Sequence, residues 1–111
     1  MSEADEETAS VFRALADSTR RQILLELTPG ELAAGQIAAR FPISGPSISR
    51  HLGVLKAAGL VRERRQANRI LYSLAEERLA LCVGRFLSAV CPEENLARRK
   101  RRRDPGRKDP P

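Results

Sequence analysis

The spacing of apolar residues changes at Gly59, and this change limits the folds that the chain can adopt. Before Gly59, apolar residues recur every three or four positions, which is the spacing of one buried face of an α-helix. After it come two β-prone runs, residues 60–64 and 69–73, joined by the short polar segment 65–68. Such a pair of runs predicts a β-hairpin. The chain is therefore expected to fold as short helices followed by a hairpin and one final helix.

Capping and breaking residues divide the helical part into short segments. The segment 17–19 (Asp-Ser-Thr) and Ser44 offer side-chain oxygens that accept hydrogen bonds from the free N–H groups of a helix start. Pro42 and Gly59 end the helices that precede them. The predicted helices cover residues 6–16, 19–27, 34–41, 45–58 and 75–91, with a short extended piece at residues 31–33. This order, mainly α with a small β-hairpin wing, is that of a winged helix-turn-helix domain.

The length of 111 residues accommodates a single domain. We expect residues 1–7 to form an acidic N-terminal arm, residues 8–91 the winged helix-turn-helix domain, and residues 92–111 a disordered basic tail. The tail either adds sequence-independent attraction to phosphate or aids solubility. The acidic start does not resemble a signal peptide, and no apolar run reaches 18 residues, so we expect a cytoplasmic protein.

Basic residues are concentrated in one part of the chain. The net charge is +6, and residues 40–72 carry seven Lys or Arg residues against a single Glu. A charge concentrated in one structural region is typical of a nucleic-acid-binding protein. Acidic lipid surfaces attract the same charge, so the charge alone does not choose the partner.

The predicted helix over residues 45–58 has one apolar and one polar face. Ile48, Leu52 and Leu55 form its buried stripe, and the opposite face is small and polar except for Arg50. A helix with such a face fits the DNA major groove, where Arg50 can donate to guanine or phosphate. The predicted DNA-binding residues are Ser44, Gly45, Pro46, Ser47, Ser49, Arg50 and His51 from this helix, and Arg64, Arg65, Gln66 and Arg69 from the hairpin. The alternatives are a solvated helix face and a charged edge strand that resists aggregation.

Three segments carry a family resemblance. Residues 12–24, 47–61 and 72–74 resemble the opening, the recognition helix with its following strand, and the wing exit of ArsR/SmtB-type bacterial repressors. The resemblance implies a homodimer that binds a pseudo-palindromic operator in double-stranded DNA, is associated with the nucleoid when bound, and represses transcription, often of its own operon. It implies a dimer interface through the first and last helices, formed here by Val11, Phe12, Leu15, Leu79, Val83, Phe86 and Val90.

Many members of that family release DNA when they bind a metal, but the residues of both usual metal sites are missing here. The arsenic-type site uses a Cys-x-Cys at the start of the third helix, where residues 31–36 contain no cysteine. The zinc-type site uses Asp and His along the last helix, which here offers Glu76 and Glu77 and no histidine. We therefore expect no metal site and no cofactor, and the effector stays open. His51 is expected to be structural or close to DNA.

Other functions remain as alternatives to a metal-independent repressor. Cys82 and Cys91 are either small packing residues or a thiol switch that forms a bond between protomers. An enzyme is not expected, because the chain has no Gly-rich phosphate loop and no Ser/His/Asp set. RNA binding is a further alternative, but this chain lacks the aromatic strand residues on which RNA-recognition domains stack bases. A winged-helix adaptor that binds other proteins is the remaining alternative.

Overall fold

The computed structural model describes residues 2–91, and the predicted basic tail, residues 92–111, lies outside them. The elements are α1 (Glu3–Leu15), α2 (Ser18–Glu26), β1 (Leu32–Ala33), α3 (Ala34–Ala38), α4 (Gly45–Ala57), β2 (Val61–Gln66), β3 (Arg69–Leu74) and α5 (Glu76–Val90). This order confirms the predicted fold class, a mainly helical winged helix-turn-helix. Among the described residues, no helix is both long enough and apolar enough to cross a membrane.

The helices begin where side chains satisfy free backbone N–H groups. The Asp17 carboxylate accepts from the backbone N–H of Arg20 at 3.0 Å, and the Ser44 hydroxyl accepts from that of Ser47 at 3.2 Å. Such caps each stabilise a helix by about 1 kcal/mol. Both lie in the segments from which the helix starts were predicted.

Helix α1 begins earlier than its apolar spacing predicts. Ser2 and Asp5 form a reciprocal capping box, and the helix starts at Glu3. Glu3, Asp5 and Glu6 lie in its first turn, where negative charge is favoured by the positive end of the helix dipole. The acidic segment, expected as a separate arm, is therefore largely the start of α1.

Helix α3 is shorter than predicted and ends at Ala38. Pro42 disfavours the helical conformation at Phe41, and the chain before it forms tighter turns, in which Arg40 N–H donates to the Ile37 carbonyl at 3.0 Å and Phe41 N–H to the Ala38 carbonyl at 3.3 Å. The Phe41 side chain nevertheless packs against the core from the turn that follows α3. The apolar spacing therefore predicted which residues face inward but not where the helix stops.

The three strands form an antiparallel sheet in the order β1-β3-β2. Residue Gln66 pairs with Arg69, so the hairpin turn consists only of Ala67 and Asn68. Arg65 and Gln66, expected in the turn, are instead part of β2. Ala67 has φ 56°, a left-handed conformation that favours glycine. The wing is thus longer and its turn tighter than the sequence predicted.

In the part of the chain that the structure describes, one apolar cluster lies between the helices and the sheet. Ile48, Leu52 and Leu55 of α4 are each at most 1% exposed and form the predicted stripe. Burying one such side chain contributes about 1.5–3 kcal/mol. The cluster consists of Val11, Ala14, Ile23, Leu24, Leu27, Ile37, Ile48, Leu52, Leu55, Ala58, Leu60, Val61 and Cys82. Residues from four helices and the start of β2 therefore fix where α4 lies.

Candidate nucleic-acid interface

Helices α3 and α4 form the helix-turn-helix, and one face of α4 is turned to solvent. Its buried stripe holds it on the core, and residues at the opposite helical positions are exposed. These are Pro46, Ser49, Arg50, Gly53 and Ala57. Apart from Arg50, all have small side chains, so nothing on this face keeps the helix axis away from a groove.

The two serines at the start of α4 form a hydroxyl pair. The Ser44 Oγ accepts from the Ser47 backbone N–H at 3.2 Å and lies 3.0 Å from the Ser47 Oγ. Either hydroxyl can donate within this pair, and the one that accepts keeps its own hydrogen for an outside acceptor. The pair can therefore donate one hydrogen bond to a phosphate.

The predicted DNA contact His51 faces α2, away from the exposed face of α4. Its side chain is 19% exposed, and the Arg20 Nη1 lies 3.3 Å from its Nδ1. An arginine can only donate, so this contact is a hydrogen bond in the tautomer whose Nδ1 carries no proton. The structure therefore assigns His51 to a contact between helices.

Two of the hairpin arginines are held by carboxylates. Arg64 donates to Glu31 through both Nε, at 2.9 Å, and Nη2. This hydrogen-bonded pair lowers the pKa of the Glu31 carboxyl and raises the pKa of Arg64. Arg62 likewise donates to Glu77 at 2.6 Å, which raises the pKa of Arg62. The predicted DNA contact Arg64 therefore already has an anionic partner within the protein.

The three other arginines of α4 and the hairpin have no carboxylate partner in the described residues. Arg50, Arg65 and Arg69 are exposed, and none of them forms an ion pair within residues 2–91. Arg65 and Arg69 lie next to the hairpin turn, on either side of it. Their guanidinium groups are free to contact phosphate oxygens.

The carboxylates that hold Arg62 and Arg64 were missed by the sequence analysis. Glu31 is 33 residues from Arg64, and Glu77 is 15 residues from Arg62. A third pair, between Lys56 at the end of α4 and Glu63 in β2, has an N–O distance of 2.5 Å. Lys56 and Glu63 are seven residues apart, and only this pair is close enough in sequence for a contact between α4 and the wing to be suggested by the sequence.

The predicted dimer residues fall into two groups. Val11 is 0% exposed, and Leu15, Leu79 and Val83 pack against the protomer's own core. Val11 therefore presents no surface to a partner. Leu15, Leu79 and Val83 are only partly buried and stay predicted interface residues, because apolar spacing alone does not separate the protomer core from an interface.

The outer face of α5 is apolar and exposed. Phe86 is 50% and Val90 61% exposed, and the Phe86 ring packs edge-on against Phe12 with centroids 5.3 Å apart. Leu81 and Leu87, which the sequence analysis did not select, are 50% and 40% exposed. At 100° per residue, Phe86, Leu87 and Val90 lie on one side of α5 and Leu81 on the other, and we call the side with Phe86, Leu87 and Val90 the α5 face.

The cysteines differ in access. Cys82 is 1% exposed within the core cluster, and Cys91 is partly exposed at the end of α5. Neither is in a disulfide in this structure. Within residues 2–91, no group of three or more His, Cys, Asp or Glu side chains is arranged to hold a metal ion.

Comparison with known sequences identifies similar regulators. A family model described as a helix-turn-helix domain matches residues 15–64. The biofilm growth-associated repressor of Agrobacterium fabrum is 38% identical over 91 residues, which cover 81% of this chain and 78% of that protein. The transcriptional repressor SdpR of Bacillus subtilis is 49% identical over 65 residues, which cover 59% of this chain and 72% of that protein.

Solved structures with this fold have related sequences. An ArsR-like transcriptional regulator from a Rhodococcus species is 35% identical with a TM-score of 0.70, covering 90% of this chain and 95% of that chain. A homodimeric winged helix-turn-helix DNA-binding domain from Mycobacterium bovis is 33% identical with a TM-score of 0.64, covering 80% and 84%. The chain is therefore a member of the ArsR family of winged helix-turn-helix regulators, and belongs with DNA-binding transcriptional regulators and not with enzymes.

Proposed function

We propose that this protein is a homodimeric repressor that binds a pseudo-palindromic operator, including one upstream of its own gene. The observation that carries the proposal is the exposed face of α4, where Arg50 is surrounded by small residues and has no partner in the described structure. The protein would act in the bacterial cytoplasm and on the nucleoid when bound to DNA.

In this proposal α4 enters the major groove. Arg50 donates to a guanine edge, and the hydroxyls of Ser47 and Ser49 contact phosphate or base edges. Gly45 and Pro46 lie at the positive end of the helix dipole, which favours a nearby phosphate. Ser44 acts as the cap that begins the helix.

The wing supplies affinity in this proposal. Arg65 and Arg69 contact phosphates beside the groove, and Gln66 lies between them at the end of β2. Arg64 is held by Glu31 and orients the wing in the free protein. Its ion pair must open before it can reach a phosphate.

The α5 face supports dimerisation. Its exposed apolar side chains would be covered by a second copy, as patches of this kind mark interaction sites. Two recognition helices, related by a two-fold axis and about 34 Å apart, then reach successive turns of the major groove. Residues 8–91 contain both the DNA-binding and the dimerisation surfaces in this proposal.

The proposed repressor needs no metal. An interprotomer disulfide through Cys82 would require this buried side chain to leave the core, so Cys91 is the thiol to test for an oxidative response.

An adaptor that binds only other proteins would not distinguish between DNA sequences.

The experiment is a titration of labelled DNA from upstream of the gene, and of a scrambled duplex, at two salt concentrations. Zinc and an oxidant are added to separate samples. We expect preferential binding to the upstream DNA that neither addition changes. Equal binding of both duplexes would contradict an operator at that position and favour the adaptor.

A further inference from the structure

The side chain of Arg20 joins the end of α1 to the recognition helix. It is 17% exposed. Its Nε donates to the Ala14 carbonyl oxygen at 2.8 Å, and its Nη2 donates to the Arg13 carbonyl oxygen at 3.1 Å. Its Nη1 lies 3.3 Å from the His51 Nδ1 and donates to it when that nitrogen carries no proton. One guanidinium therefore contacts two different helices from its place on a third.

The contacts of Arg20 place its positive charge at the end of α1 and beside the carboxylate of Asp17. Arg20 adds a donor to the Arg13 carbonyl, which already accepts from the Ala16 backbone N–H at 3.2 Å, and to the Ala14 carbonyl in the last turn of α1. A cation at this end of a helix is also favoured by the helix dipole. Asp17 completes the cluster, with its carboxylate oxygens 4.0 Å from the Arg20 Nη1 and 3.9 Å from the His51 Nδ1. The backbone hydrogen bond from Arg20 lowers the pKa of Asp17.

Apolar packing holds the buried stripe of α4 on the core, and a hydrogen bond adds a directional restraint on the orientation of the helix. Contacts made by Ile48, Leu52 and Leu55 are not directional, whereas a hydrogen bond to a guanidinium requires a particular orientation. The planar guanidinium is in turn fixed by the two α1 carbonyls. His51 directly follows Arg50 in α4. The contact that holds the His51 ring therefore also restricts the position of the Arg50 backbone, from which its side chain extends.

We propose that the Arg20–His51 hydrogen bond positions the recognition helix relative to α1, and thereby sets the sequence selectivity of DNA binding. This inference rests on the proposed function. Arg20 and His51 act as positioning residues and not as DNA contacts. Helix α1 also packs against α5, so the link runs from the proposed dimer helices to the recognition helix.

The test uses two disruptive variants and two matched variants. Arg20→Lys keeps the charge but loses the planar set of donors, and His51→Leu removes the acceptor. His51→Asn returns an acceptor oxygen near the position of Nδ1. Arg21→Lys is the control, because Arg21 is adjacent, exposed, and bonded only to the Leu15 carbonyl oxygen.

The measured quantity is the Kd for the scrambled duplex divided by the Kd for the upstream duplex. A smaller folded fraction weakens both affinities equally and leaves this ratio unchanged. We expect Arg20→Lys and His51→Leu to lower the ratio about tenfold, equivalent to about 1.4 kcal/mol. His51→Asn should stay within about threefold of the wild type, and Arg21→Lys should leave it unchanged.

His51 is the only histidine in the chain, so its imidazole nitrogens give a single set of NMR signals. At a pH at which the ring is neutral, the wild type without DNA should show the Nε2–H tautomer, and Arg20→Lys should show a mixture. A mixture in the wild type would overturn the hydrogen bond itself.

The possible failures are distinguishable. If the wild type prefers the upstream DNA and the disruptive variants keep its ratio, positioning is wrong while the proposed function stands. A ratio for His51→Asn as low as that for His51→Leu would also overturn the role of the acceptor. If the wild type shows no preference, the proposed function and this inference fail together.

Discussion

The α4 face and the wing are both basic, but their arginines are in different situations. On α4 a single arginine, Arg50, stands free among small residues. On the wing four arginines lie within eight positions, and two of them, Arg62 and Arg64, are held by carboxylates. The number of arginines in a segment therefore overstates how many are ready to meet DNA. What matters is whether a carboxylate within the protein already pairs with the guanidinium, because that pair weakens its attraction for phosphate.

The largest effect should come from Arg50→Ala. If Arg50 contacts a base, operator binding should weaken by about 1–3 kcal/mol while binding to the scrambled duplex changes much less. Both Kd values can be measured by fluorescence anisotropy, with Arg13→Ala as a control that removes an exposed cation from α1. Equal losses of binding free energy on the two duplexes would indicate that Arg50 contacts phosphate, as is proposed for the wing arginines.

The next effect concerns the close approach of α4 to the groove. Gly53 lies in the middle of α4, and apart from the adjoining backbone of α4 no atom of the described residues lies within 4 Å of an added Cβ. Gly53→Ala should therefore stabilise the helix by about 0.5–1 kcal/mol. On the DNA-facing side the same methyl group should weaken operator binding about fivefold, or about 1 kcal/mol. Thermal unfolding and anisotropy together test this, and unchanged DNA affinity would mean that this part of α4 stays clear of the groove.

A smaller effect is expected when the wing arginines are freed or removed. Arg65→Ala should reduce the slope of log Kd against log salt by about 0.9, the contribution of one phosphate contact. Glu31→Gln frees Arg64 and should increase that slope by up to about 0.9, with tighter binding of both duplexes. Weaker binding by Glu31→Gln would instead indicate that the ion pair is needed to orient the wing on DNA.

The smallest effect is the pH dependence of the Glu31–Arg64 pair in the free protein. Folding lowers the pKa of Glu31 below its ordinary value of 4.5, chiefly through the hydrogen bond from Arg64. Its contribution to stability is therefore present above pH 4.5 and is lost as the pH falls through the lower, folded-state pKa. Any Tm advantage of the wild type over Glu31→Gln should shrink below that pH. A gap that grows on acidification would contradict this sign.

Much of the fold was predictable because it depends on neighbours a few residues apart. Caps such as Ser44 act on N–H groups within one turn, and the stripe of Ile48, Leu52 and Leu55 follows from the helical repeat. The same locality explains the errors. The stop of α3 and the two-residue hairpin turn depend on competition between adjacent conformations that composition does not resolve.

The sequence by itself determined the order of elements, the exposed face of α4 and the resemblance to a repressor family. Only the tertiary structure decided which charged groups are free. His51 meets Arg20 across 31 residues and Arg64 meets Glu31 across 33, and neither spacing leaves a local pattern. The physical reason is that hydrogen bonds and ion pairs depend on distances of a few ångströms, which for distant residues exist only once the core has brought their helices and strands together.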